Sequence, residues 1–165
     1  MNTGRYSLAT DYRGLFTKEA PNYTETIWFH QYNTAAAHTH SLTWYFTSGS
    51  MGSKWSGDQD FIQTYLNIDG TPHTTSEEWA DEFTGRDKRL ADTWMPPTYT
   101  KKIAGATVTT APDFAVTYTG YEPIKWNIDD NTYDNAAISN NSVPLIRYAE
   151  VLLNYAEAKA ELGSF

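Results

Sequence analysis

Residues 143–162 restrict what this chain can fold into more than any other stretch. Ile146, Ala149, Leu153, Ala156 and Ala160 recur at spacings of three and four. Leu145, Tyr148, Leu152 and Tyr155 form a second apolar stripe beside the first, which leaves a narrow polar stripe of Arg147, Glu150, Asn154, Glu157 and Glu161. That periodicity predicts a helix over 143–162. Asn141 or Ser142 can cap it, Pro144 suits its first turn and Gly163 stops it. A helix apolar on so much of its surface expects packing partners on two sides. The sequence has no following helix, so the expectation is a piece of a larger protein. Alone, the helix would expose Leu145, Tyr148, Leu152 and Tyr155, at a cost of roughly 1.5–3 kcal/mol for each large apolar side chain. Arg147, three residues before Glu150, is expected to form a structural ion pair with a carboxylate outside the helix.

The remainder is poor in aliphatics. Leu, Ile, Val and Phe number 28 of 165 residues, a level that usually signals disorder. Against disorder stand 18 Trp and Tyr residues and a net charge of only −8 without a long like-charge run. The apolar surface is therefore mostly aromatic. The chain has no Cys, which excludes disulfides, thiol catalysis and Cys-based metal centres. No apolar run approaches the ~18 residues of a spanning helix. Met1-Asn2-Thr3-Gly4-Arg5 carries neither a signal core nor a lipidation Cys, so this stretch is not expected to direct export or anchoring. The acidic balance argues against nucleic acid and anionic membrane as partners.

Other segments are shorter. Leu8, Tyr12, Leu15 and Phe16 outline one helix face over 5–17, and 25–32 reads as a strand. Residues 33–57 read as a long, ring-rich loop, a kind of segment that is often functional. Asp58–Leu66 reads as a short helix, and Ser76, Trp79 and Phe83 suggest another. Residues 107–110 and 114–118 fit either short strands or extended irregular chain, and 129–142 a polar loop. Trp28 and Trp126, in probable strands, are expected in the core.

The run Ile146-Arg147-Tyr148-Ala149-Glu150-Val151-Leu152-Leu153-Asn154-Tyr155-Ala156-Glu157-Ala158 closely resembles the signature helix of the SusD/RagB family. Glu25-Thr26-Ile27-Trp28, Tyr65 with Asp69-Gly70, Asp87-x-Arg89-Leu90 and Pro123-x-Lys125-Trp126 resemble further landmarks in the family's order. The resemblance covers nearly the whole chain but only a middle portion of the family fold. It implies that 1–165 is one truncated SusD-like domain. It also implies a mainly α fold with long irregular loops and a few short strands, part of a tetratricopeptide-containing helical architecture. The implied function is glycan binding at the Bacteroidetes outer-membrane surface by a lipoprotein that delivers oligosaccharide or polysaccharide to a SusC-like TonB-dependent transporter. Its lipid anchor would lie outside this chain, and no catalysis or cofactor is implied.

A pyranose has an apolar C–H face edged by hydroxyls, which suits rigid rings with polar tips. Trp44, Tyr45 and Trp55, set among Ser, Thr and Gly, are therefore the glycan candidates. Two other classes stay open: a glycoside hydrolase fragment using two of Asp58, Asp60, Asp129 and Asp130, and a helical scaffold that binds protein through the apolar face of 143–162. His38-x-His40 lacks a third metal ligand of telling spacing and reads as solvated histidines. Asp58-x-Asp60 reads as cap and dipole chemistry. Asp129, Asp130, Asn131 and Asp134 lack the glycine of a calcium loop. No serine-hydrolase, zinc-protease or dinucleotide motif occurs.

Overall fold

The computed structural model of the chain describes residues 4–51, 53–74 and 78–163, which leaves Ser76 outside the described residues. In chain order they form α1 (Gly14–Thr17), β1 (Thr26–His30), α2 (Leu42–Thr47), α3 (Gln59–Gln63), α4 (Lys88–Thr93), β2 (Thr100–Ile103), β3 (Ala106–Thr109), β4 (Val143–Arg147) and α5 (Tyr148–Glu161). Four of the five helices have only four to six residues. With short 3-10 turns and isolated bridges included, helix accounts for 28% and strand for 17% of the described residues, so the expected mainly α fold is corrected to a mixed one with long irregular connections. Turn formers such as Pro21, Pro72 and Pro96-Pro97 interrupt the helical patterns, and helices this short persist only where tertiary contacts hold them. The chain divides into two compact units, one of residues 1–38 with 140–165 and one of residues 39–139.

The first unit is built on an antiparallel pair, β1 with β4, in which Thr26 faces Arg147, Trp28 faces Ile146 and His30 faces Val143. The predicted helix over 143–162 is therefore wrong in its first turn. Val143 to Arg147 are extended, and the helix starts at Tyr148, whose N–H donates to the Glu25 carbonyl at 2.9 Å. An apolar run rich in β-branched residues fits either period, and pairing with β1 decides it. Pro144, opposite Phe29 beside a register shift, suits a two-stranded sheet because it removes only one donor. The predicted ion pair of Arg147 is present. Its Nη1 lies 2.5 Å from Oε1 of Glu25, while Ala9 N–H donates to Oε2 of the same carboxylate. The guanidinium also sits over the Tyr12 and Phe16 rings at 5.6 and 5.4 Å.

Two other expectations fail in this unit. Of the helix expected over 5–17 only Gly14–Thr17 forms, held by the Gly14 N–H on Asp11 Oδ1, while Ser7 donates to the Thr24 carbonyl instead. Trp28 is 61% exposed rather than core, because strand alternation puts it on the face opposite half-buried Ile27 and Phe29, and a register shift separates it from buried Thr26.

The second unit has a small apolar cluster of Met95, Tyr99 and Ile124, with Ile62 and Leu90 fully buried. Polar residues take the place of the missing aliphatics. Thr43 is fully buried, donates its N–H to Ser139 Oγ and accepts from Ile128 N–H at its hydroxyl. This is how a chain so short of Leu, Ile and Val closes an interior: buried polar groups are acceptable where they are hydrogen-bonded. β2 and β3 form a hairpin whose turn, Ala104-Gly105, has both residues at positive φ, the conformation favoured between twisted strands. Residues 114–118 turn instead of extending, with Ala115 N–H on Asp113 Oδ1 and Val116 N–H on the Asp113 carbonyl. Trp126 is half-buried in a turn, not in a strand.

Candidate functional site

Within the 39–139 unit, the ring-rich stretch is partly helical. α2 carries Trp44, Tyr45 and Phe46 in succession, and its anchor is buried Thr43. The rings fall into two pairs. Trp44 and Tyr45 meet with centroids 5.4 Å apart, and Phe46 meets Trp55 edge-on at 5.9 Å. Tyr45 is 44% and Trp55 57% exposed, while Trp44 is half-buried. Trp44 and Tyr45 thus form one pair, and Trp55 belongs with Phe46.

The chain then runs from Lys54 to Asp58 beside residues 114–121. Lys54 Nζ donates to the Phe114 carbonyl at 3.1 Å, and Ser56 Oγ accepts from Tyr118 N–H at 2.7 Å. Gly57 N–H donates to the Tyr121 carbonyl at 2.9 Å, while the Thr119 hydroxyl returns a bond to Gly57 O at 2.7 Å. A Cβ at Gly57 would lie 2.8 Å from Tyr121 Cβ and 3.1 Å from the Trp94 ring, so only glycine allows this approach.

The lacing forms one side of a cleft of about 690 Å³, whose principal lining is Asp58, Trp79, Glu82, Phe114, Thr119 and Tyr121. Its volume lies in the range of sites that enclose a small organic ligand. Asp58 caps α3 through Asp60 N–H on its Oδ1 at 2.9 Å, as its position before the helix predicts. Glu82 is buried, with Gln63 Nε2 3.1 Å from each carboxylate oxygen and Arg86 Nη1 at 3.6 Å. Arg86 is itself enclosed, and burial lowers its affinity for a proton while Glu82 restores part of it. Burial, then Glu82, pushes the Tyr121 phenol above its ordinary range, so it stays a protonated donor. The Trp79 indole N–H is buried without an acceptor among the described residues. Phe114, 69% exposed, offers an uncovered ring face. The arrangement combines flat apolar faces with isolated donors and acceptors.

Glu122 follows Tyr121 in the chain and accepts from the N–H of Asp113, the residue before Phe114. It is 5% exposed, and burial pushes its carboxyl up to about 7 against the stabilising Asp113 N–H at 3.2 Å. Between the ordinary glutamate value near 4.5 and about 7 the folded state holds a proton that the unfolded chain has released. Its stabilising contribution is therefore complete below about pH 4.5 and lost as pH rises through 7. Urea unfolding across this window should show wild type losing stability relative to Glu122→Gln as pH rises. A difference that is flat or of opposite slope contradicts the assignment.

Apart from Asp58, the residues of the other readings lie outside the cleft lining. His38 Nε2 meets His30 Nε2 at 2.9 Å, and His40 Nδ1 accepts from Leu42 N–H. Asp130 caps a short turn through Thr132 N–H, and Asp129 accepts from the Tyr99 hydroxyl. Neither lines the cleft. Trp79, Phe114 and Tyr121 are the residues that sequence reasoning missed as binding candidates. Residues 111–121 mix rings with Thr, Pro and Gly much as 44–57 do, which was the available signal.

Compared with known protein families, residues 24–164 match the model of the SusD family. No curated protein and no solved structure matches the chain.

Proposed function

Because the chain belongs to the SusD family, whose members bind glycans in nutrient uptake rather than act as enzymes, we propose that it holds oligosaccharide in the cleft of its 39–139 unit without breaking glycosidic bonds. The glycan then passes to a SusC-like TonB-dependent transporter at the outer-membrane surface, where a lipid anchor holds the protein. The carrying observation is the cleft itself. Trp79, Phe114 and Tyr121 supply ring faces for the C–H surface of a sugar, while Asp58, Thr119 and the Tyr121 phenol supply partners for its hydroxyls. Trp55 and Tyr45 are exposed rings of the same unit and extend the reading to a longer glycan.

Binding fits the carboxylates better than hydrolysis does. A glycosidase needs one carboxyl free to protonate the leaving oxygen and a second free to attack or to activate water. Glu82 has both oxygens committed to Gln63, with Arg86 beside it, which leaves Asp58, with its Oδ1 capping a helix, as the one carboxylate with a free oxygen among the described lining residues.

Affinity electrophoresis against a panel of polysaccharides tests this. At least one glycan should retard the chain without release of reducing ends. Phe114→Ala should abolish most of that retardation, and Trp55→Ala should weaken it for long glycans only. Both side chains are exposed, so neither change should affect folding. Reducing-sugar release that disappears in Asp58→Asn would overturn binding in favour of hydrolysis.

A further inference from the structure

The charges around the cleft bear on which glycans it accepts. Among the described residues, the charged ones lining it are Asp58 and Glu82, both acidic. The neighbouring cations are committed elsewhere. Arg86 donates to the carbonyls of Ile62 and Tyr65 at 2.8 Å each and of Glu82 at 3.0 Å, with its side chain fully enclosed. Lys54 is bonded to the Phe114 carbonyl and sits 4.9 Å over the Tyr118 ring. The chain as a whole carries −8.

From this we infer that the cleft selects neutral glycans and refuses polyuronates and sulfated polysaccharides. The inference rests on the glycan reading above and specifies its substrate class. Recognition of a carboxylate or sulfate on a sugar calls for guanidinium or ammonium donors aimed into the site. Here the aimed groups are of another kind. Asp58 uses Oδ1 to cap α3, and Oδ2 has no partner among the described residues, so it remains an acceptor for sugar hydroxyls. Tyr121 stays a phenol donor, and the rings of Trp79 and Phe114 line the cleft beside it. A neutral polyol satisfies the Asp58 acceptor and the Tyr121 donor, whereas an anionic sugar places like charge against Asp58 and loses more in the partly enclosed cleft than it would in open water.

Asp58→Asn provides the probe, because Asn caps a helix about as well as Asp; the change removes the charge and turns the free Oδ2 acceptor into an amide donor. The experiment compares soluble neutral glucans, mannan and galactan with polygalacturonate, alginate and chondroitin sulfate by affinity electrophoresis, at low and at high salt. Wild type should bind at least one neutral glycan with little salt dependence and the polyanions at least about tenfold more weakly. Asp58→Asn should raise polyanion binding about twofold to fivefold at low salt, an increase that high salt erases. A polyanion bound by wild type more tightly than every neutral glycan, and released by Phe114→Ala, would overturn the charge inference while leaving the glycan reading intact. No retention by either class would overturn the glycan reading and this inference with it.

Discussion

Replacing Arg86 with alanine is expected to lower the stability of the chain by about 3–5 kcal/mol, the usual cost of breaking a buried ion pair from one side. The side chains of Arg86 and Glu82 are 0% and 3% exposed. Removing the guanidinium would leave the Glu82 carboxylate enclosed with only the Gln63 amide as partner. It would also strip donors from the carbonyls of Ile62, Tyr65 and Glu82. The first two carbonyls lie at the end of α3 and the third in the turn that lines the cleft, so the loss affects the wall directly. A loss of this size is a large share of ordinary domain stability, and Arg86→Lys keeps the test open if the alanine variant does not fold. Lysine keeps the charge but not the planar fork, so it should recover only part of the loss. Urea unfolding reads both variants, and a cost below about 1 kcal/mol for Arg86→Ala would refute the structural role given to this residue.

Arg147→Ala should have an effect of similar size in the other unit, about 3 kcal/mol. Glu25, 3% exposed in its side chain, would keep only the Ala9 N–H. The Tyr12 and Phe16 rings would lose the cation lying over them. The consequence reaches α5, because the Glu25 carbonyl receives the first N–H of that helix. Pairing the change with Glu25→Gln removes the stranded charge and should recover part of the loss. A double variant no more stable than Arg147→Ala in urea unfolding would show that packing on the rings, not the ion pair, accounts for the residue's role.

Local chemistry was legible wherever it set the structure. Thr26-Ile27-Trp28-Phe29 announced a strand through β-branched and aromatic residues, Asp58 announced its helix by capping it, and Arg147 announced a carboxylate outside the helix. Tertiary pairing was not legible. Val143 to Arg147 have the same apolar spacing as the helix they precede, and only the presence of β1 across from them makes them a strand. The cleft was hidden for a related reason. It is assembled from residues near 58, 79–82, 111–114 and 119–121, and no single window of sequence shows a ring from one segment beside a carboxylate from another. Trp44, Tyr45 and Trp55 stood out because they are close in sequence, yet their rings divide into separate pairs, Trp44 with Tyr45 and Phe46 with Trp55. Aromatic density told that rings would do more than fill a core, but not which rings would face an open space.

The glycan-binding cleft is tested most directly by isothermal titration of a neutral oligosaccharide into wild type and into Phe114→Ala. The Phe114 ring is 69% exposed, so its removal leaves the fold in place and takes away one stacking face. The account predicts heat of binding in wild type and an affinity about tenfold weaker in the variant, in line with ring contacts of about 1–1.5 kcal/mol. Equal affinities in the two proteins would contradict it.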